Sequence, residues 1–154
     1  IHGGAGGIGH VAIQLAKTLG AHVATTVSGD DAGFAKSLGA DEVIDYKIQV
    51  FEEILSAFDA VFDTVGGEIT DRSFKVLKKG GIIVSMAGQP NMKLAKKSDV
   101  TAIGQTTEGK TDRLNRLAEL VNSGKIKVHI DKVSPWSKQK RLFLIWKRVG
   151  REVK

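Results

Sequence analysis

Apolar positions recur along this chain in two alternating rhythms. After a glycine-rich opening, Ile8, Val11, Ala12, Leu15 and Leu19 fall at helical spacing, and Gly20 stops the run. AHVATTV then reads as a buried strand bounded by SGDD. Asp30 or Asp31 can cap a short helix that carries Phe34, Ala35 and Leu38 and ends at Gly39. DEVIDY predicts another strand. QVFEEILSAF predicts a helix with Val50, Ile54 and Leu55 on one side.

The alternation continues to about residue 131. FDAVFDTVGG predicts a strand ending in a Gly-Gly turn, and EITDRSFKVLKKGG a helix with Ile69, Phe74 and Leu77 inward. IIVSMAG is a strand, QPNMKLAKK a loop with a helical turn, and DVTAIGQT a further strand. TDRLNRLAELVNSGK predicts a helix with Leu114, Leu117, Leu120 and Val121 as its stripe and Gly124 at its end; IKVHID is the last strand. Strands separated by helices of this length imply right-handed crossovers and a parallel sheet covered on both faces. The expected fold is α/β and doubly wound, one domain over residues 1–133, followed by a divergent basic tail over 134–154.

Composition narrows the class. The 154 residues are 42% hydrophobic and 26% charged, ordinary for a globular domain. Cysteine is absent, which removes disulfides and thiolate metal sites and fits a cytoplasmic setting. No run approaches the roughly 18 apolar residues of a membrane span, and the glycine-rich start is unlike a signal peptide. The net charge of +6 suggests a nucleic-acid partner only until its distribution is read. Residues 1–131 carry 15 Lys/Arg against 16 Asp/Glu, whereas 132–154 carry 8 against Glu152 alone. The basicity belongs to the tail, and neither nucleic acid nor membrane is expected as a partner of the domain.

The opening, IHGGAGGIGH, fits G-x-G-x-x-G at Gly4, Gly6 and Gly9. Such a loop lies between a strand and a helix and binds a dinucleotide: Gly4 for the tight turn, Gly6 for approach of the pyrophosphate, Gly9 for close helix packing. Gly7 and Ile8 are expected to present free N–H groups to the phosphates at the helix start. Only Ile1 and His2 stand before the loop, so the first strand is expected to be truncated in a Rossmann dinucleotide-binding fold. An NAD-selective site usually carries Asp or Glu at the end of the second strand. Here the residues are Thr25, Thr26, Val27, Ser28 and Gly29, which favours NADP(H), with Ser28 as donor to the 2′-phosphate. Asp30 and Asp31 lie just beyond, where capping and ribose binding are both open to them.

Four stretches, IHGGAGGIGHVAIQLAKTLGA, FAKSLGADEVIDYK, FDAVFDTVGG and KGGIIVSMAG, resemble the cofactor domain of medium-chain dehydrogenases/reductases, most of all the zinc-independent quinone oxidoreductase branch. The resemblance runs from residue 1 to about 133. It implies that Ala5, Gly6, Gly7 and Ile8 hold the pyrophosphate and that Ser28 lies at the adenosine 2′-phosphate. It further implies that Tyr46 reaches the same phosphate or flanks the adenine, that Val65 lines the adenosine side, and that Ala87 supports the nicotinamide end. Read without the family, Tyr46 is a half-exposed aromatic at a strand end. The implied reaction is hydride transfer to a small-molecule acceptor, a quinone or an α,β-unsaturated carbonyl, which needs no metal; no catalytic residue is assigned in this chain. The family's substrate-facing domain is expected to lie upstream, outside these residues. A cofactor domain of zinc-dependent alcohol dehydrogenase type and a non-catalytic NADPH-binding module are the alternatives.

His2, His10, His22 and His129 form no ligand pair by spacing, and His10 and His22 are expected to be partly exposed. A homodimer through the strand near Val100–Gln105 is expected, because an unpaired apolar edge invites a partner. The tail, SPWSKQKRLFLIWKRVGREVK, admits three readings: a basic amphipathic segment, a helix docked on its own domain, or the product of a one-base frame slip.

Overall fold

Two short parallel ladders and a two-residue link make up the sheet of the computed structural model, which describes residues 1–138. Strand β1 (Ala24–Val27) pairs with β2 (Glu42–Asp45), and β3 (Phe58–Asp63) pairs with β4 (Leu77–Ser85), which pairs with β5 (Thr101–Gly104). His2 joins the ladders through single parallel bridges to Thr26 and to Asp63. The spatial order is therefore β2, β1, the segment at residues 1–2, β3, β4, β5, all parallel. Order reverses at the opening segment, so the crevice at its carboxyl end is a topological switch point, where ligands bind in such sheets. The first strand is short, as expected: its ladder bonds are His2 N–H to the Phe62 carbonyl (3.0 Å) and Thr26 N–H to the Ile1 carbonyl (3.1 Å).

Helices alternate with the strands. They are α1 (Gly9–Thr18), α2 (Ala32–Ser37), α3 (Phe51–Ile54), α4 (Glu68–Ser73), α5 (Met92–Ser98) and α6 (Thr111–Asn122), with 3-10 turns at Gly29–Asp31 and Trp136–Lys138. The larger core cluster contains Ala24, Ile44, Phe51, Leu55, Val61, Phe74, Val76, Ile83, Ala95 and Val100. A smaller one, Ile13, Val23 and Ala40, sits under α1. The buried strand centres are mostly β-branched, Thr25 and Thr26 in β1, Ile44 in β2, Val61 in β3 and Ile83 in β4, as stiff side chains suit a sheet covered on both faces.

Several expectations need correction. In α1 the buried positions are Gly9, His10, Ile13 and Gln14, not the Ile8–Leu19 stripe; Ile8 and Leu19 are exposed. Glycine at position 9 lets that face approach the loop, while Ala12, Leu15, Ala16 and Leu19 line a cleft of about 770 Å3 at the amino-terminal ends of β1 and β3. The helix foreseen around Val50–Leu55 is one turn, with Phe51 and Leu55 buried and Val50 and Ile54 exposed. Helix α4 stops at Ser73 because Leu77 already pairs with Phe58, so Gly80 and Gly81 lie inside β4, where the register shifts. Of the α6 stripe only Leu120 is buried. IKVHID is not a strand; Gln14 holds it, accepting from the Lys127 N–H (2.8 Å) and donating to the Lys127 carbonyl (3.0 Å). A side-chain amide here replaces a backbone ladder. Of the tail, Trp136 is exposed, and residues 139–154 lie outside the described residues.

Candidate functional site

The glycine loop crosses the carboxyl edge of the sheet at the switch point. Gly3, not Gly4, takes the left-handed conformation that turns the chain, with φ of 71°. Gly4 is glycine for a different reason: a Cβ there would overlap the Thr25 hydroxyl. A Cβ on Gly9 would overlap the Gly3 backbone, which is the close helix approach expected of the third glycine. The loop closes on itself through Gly6 N–H to the Gly3 carbonyl (3.0 Å) and is tied to β1 through Gly4 N–H to the Thr26 carbonyl (3.1 Å). Among the described residues, the N–H groups of Ala5, Gly7 and Ile8 meet no acceptor. They gather at the N-terminus of α1, where the helix dipole adds positive potential. Such a cradle of free donors fits a pyrophosphate.

The other expected positions lie along the same edge. Ser28 follows β1 and Tyr46 follows β2, whose N–H donates to the Val27 carbonyl (3.1 Å). Tyr46 is half exposed, as a strand-end aromatic should be. Val65 follows β3 against the loop, since a Cβ on Gly3 would meet its Cγ2 at 3.4 Å. Ala87 follows β4 and packs on Gly66, where an added Cβ would come within 2.6 Å of its own Cβ. Neither Asp30 nor Asp31 caps a helix with its side chain. Instead Asp31 accepts a hydrogen bond from the Ser28 hydroxyl (2.7 Å). The expected phosphate donor is thus occupied by a carboxylate.

Three buried groups beneath the loop escaped the sequence reading. Asp63, fully buried at the end of β3, accepts from the N–H groups of Val65 (2.9 Å) and Gly66 (3.1 Å) and from the hydroxyls of Thr70 (2.5 Å) and Ser85 (3.3 Å). Burial opposes its charge, but these donors, led by Thr70, hold its carboxyl below the ordinary value. His2 is also buried, with Nδ1 3.0 Å from the Thr26 hydroxyl and Nε2 2.9 Å from the Ser73 hydroxyl. Ser73 gives its only proton to the Ile69 carbonyl (2.6 Å), so His2 Nε2 must be the donor and Nδ1 the acceptor. Burial, reinforced by the charge of Arg72, pushes the imidazole down to about 4. His10 is buried as well, contrary to expectation; its Nδ1 lies 3.0 Å from the Gly6 carbonyl. His22 is exposed as expected and pairs with Glu42 at 2.8 Å.

With this geometry in view, the likeness to known proteins is specific. The model of the zinc-binding dehydrogenase family matches residues 38–141. The chain belongs to that family. Within it, this is a quinone oxidoreductase-like domain of the medium-chain dehydrogenases/reductases, with the parallel α/β fold of its relatives. It is 36% identical over 138 residues to the NADPH-dependent alkenal/one oxidoreductase of Arabidopsis thaliana chloroplasts, an alignment covering 86% of the chain and 32% of that protein. The quinone oxidoreductase of Coxiella burnetii superposes with a TM-score of 0.86 at 33% identity, over 96% of the chain and 48% of that structure. The Escherichia coli quinone oxidoreductase complexed with NADPH does so with a TM-score of 0.72 at 29% identity, over 84% and 46%. The chain therefore spans a third to a half of the length of these relatives.

The family's name implies zinc. Among the described residues no three His, Cys, Asp or Glu side chains converge, and the chain has no cysteine, so these residues do not fit the metal. Among the described residues no helix is long and apolar enough to cross a membrane.

Proposed function

We propose that this chain is the NADP(H)-binding half of an oxidoreductase that delivers hydride to a quinone or an α,β-unsaturated carbonyl. The observation that carries the proposal is the set of free N–H groups at Ala5, Gly7 and Ile8, set over the α1 N-terminus at the switch point of the sheet. The cofactor, when bound, supplies the hydride. The chain's own residues bind and orient. Ala5, Gly6, Gly7 and Ile8 hold the pyrophosphate. Ser28 turns from Asp31 to meet the 2′-phosphate, Tyr46 and Val65 flank the adenosine, and Ala87 backs the nicotinamide end. Asp63 keeps the Val65–Gly66 turn in place from below.

The acceptor belongs to residues outside this chain, so the chain alone binds cofactor without turning over. Residues 1–133 act as the cofactor domain, in a cytoplasmic setting. A homodimer forms through the outer edge of β5, where Ile103 is exposed and β4 is the one strand paired among the described residues. Gly6→Asp tests the loop assignment: a carboxylate in the pyrophosphate space should abolish NADPH binding while leaving thermal unfolding cooperative. NADPH affinity equal to that of the unaltered chain would refute the assignment.

A further inference from the structure

We infer that His10 is a positioning residue that aims the Gly7 N–H at the phosphate, by locking the peptide between Gly6 and Gly7. The inference rests on the cofactor reading above. Gly6 and Gly7 are adjacent glycines, and neither has a Cβ to restrict the peptide between them. That freedom is removed by one residue acting twice. The Gly6 carbonyl accepts from the His10 backbone N–H at 3.1 Å and from His10 Nδ1 at 3.0 Å. The peptide is trans, so its carbonyl and its N–H point in opposite directions. With the carbonyl turned down onto His10, the Gly7 N–H must point away from the helix. It meets no acceptor among the described residues, and a Cβ built on Gly7 would meet nothing within 4 Å. Gly7 itself is exposed.

The imidazole is itself held. A carbonyl only accepts, so Nδ1 carries the proton. The His129 N–H lies 3.4 Å from Nε2, which requires Nε2 to accept, in the same tautomer. Two contacts from different parts of the chain agree on one proton position. The Phe34 and His129 rings lie 4.8 Å apart beside it, and Gln14, one turn along α1, clamps Lys127 through both its backbone groups. The 127–129 segment thus closes the ring in, where water would otherwise compete for Nδ1. A donor aimed before the ligand arrives avoids the ordering cost of binding.

Two substitutions in the full chain separate donor from filler. His10→Phe keeps an aromatic ring but has no donor. His10→Asn places an amide N–H where Nδ1 was and loses the contact to His129. Calorimetry should show NADPH binding weakened about five- to tenfold in His10→Phe, the range of one net hydrogen bond, and within about twofold of the unaltered chain in His10→Asn. Adenosine 2′-monophosphate, which does not reach the loop, should bind all three chains alike. Equal NADPH affinity in His10→Phe, equal loss in both variants, or parallel loss of adenosine 2′-monophosphate would each overturn the inference. If His10→Phe does not fold, NMR of the unaltered chain decides: the Gly7 amide proton must shift on NADPH addition, and an unmoved Gly7 amide refutes the assignment. Failure of the unaltered, folded chain to bind NADPH would instead refute the cofactor reading on which the inference stands.

Discussion

At the scale of single residues, the proposed adenosine end of the site turns on the pair Ser28 and Asp31. The Ser28 hydroxyl donates to Asp31, so a 2′-phosphate must win that donor from a carboxylate and then tolerate the charge beside it. Asp31→Asn should therefore tighten NADPH severalfold, on the order of a partly screened charge pair, while leaving NADH within about twofold; competitive titrations would read both. Tighter NADH with unchanged NADPH would mean that Asp31 does not face the phosphate. The glycine turn was legible in the sequence because its geometry follows from local spacing; the strand-end places of Ser28 and Tyr46 were legible too, but Tyr46 was given a role by the resemblance alone. Asp63 and His10 were not. Their partners are brought near by the crossover and by the loop's own turn, and spacing alone made His10 look like an exposed helix start. A faint signal existed in both cases: a carboxylate at the end of an apolar strand, and an imidazole four residues after a loop carbonyl.

At the scale of elements, two ionisable groups tie neighbouring elements together beneath the site, and both make the protein acid-sensitive. Glu52 in α3 takes a bidentate pair from Arg72 in α4, both contacts 2.6 Å, and Arg72 lies 5.0 Å from the centre of the Phe51 ring. The Arg72 hydrogen bond holds the Glu52 carboxyl down to about 2, against an ordinary 4.5. This stabilisation is present above the unfolded value and is lost as pH falls from about 4.5 towards 2. His2 acts at higher pH. Its folded value of about 4 lies below the ordinary 6.5, so the unfolded chain takes up the proton first and stability falls as pH drops from 6.5 to 4. Urea midpoints taken from pH 7.5 to 4 should decline in the unaltered chain. In His2→Phe, which still packs on Phe51 but cannot titrate, they should be flatter between 6.5 and 4.

Sequence periodicity located β1 to β5, because each carries apolar or β-branched residues between turn residues, but it missed the first half of β4, Leu77 to Gly81. It misjudged helix faces and lengths. Leu19, Leu114 and Leu117 keep helical spacing yet are exposed, while Gly9, His10 and Gln14 supply the buried face of α1. Tertiary contacts chose the face, and glycine's small size decided the approach.

At the scale of the molecule, β4 is the keystone. It pairs on both sides, and Ile83 at its centre is fully buried within the main core. Ile83→Ala should cost about 2–5 kcal/mol, the range for deleting a large buried aliphatic side chain, and a denaturant titration would measure it. At the free edge, Ile103→Lys should leave the fold intact and shift a dimer to monomer in sedimentation, since a charge on an edge strand opposes pairing. An unaltered chain that is monomeric across a broad concentration range would refute the edge dimer.

The central claim is that the loop and strand ends of this chain form an NADP(H) site by themselves. Parallel calorimetric titration of the chain with NADPH and NADH tests it most directly. Saturable binding of one NADPH per chain is expected, with NADH weaker. A cooperatively folded chain that takes up neither cofactor, or that prefers NADH, would contradict it.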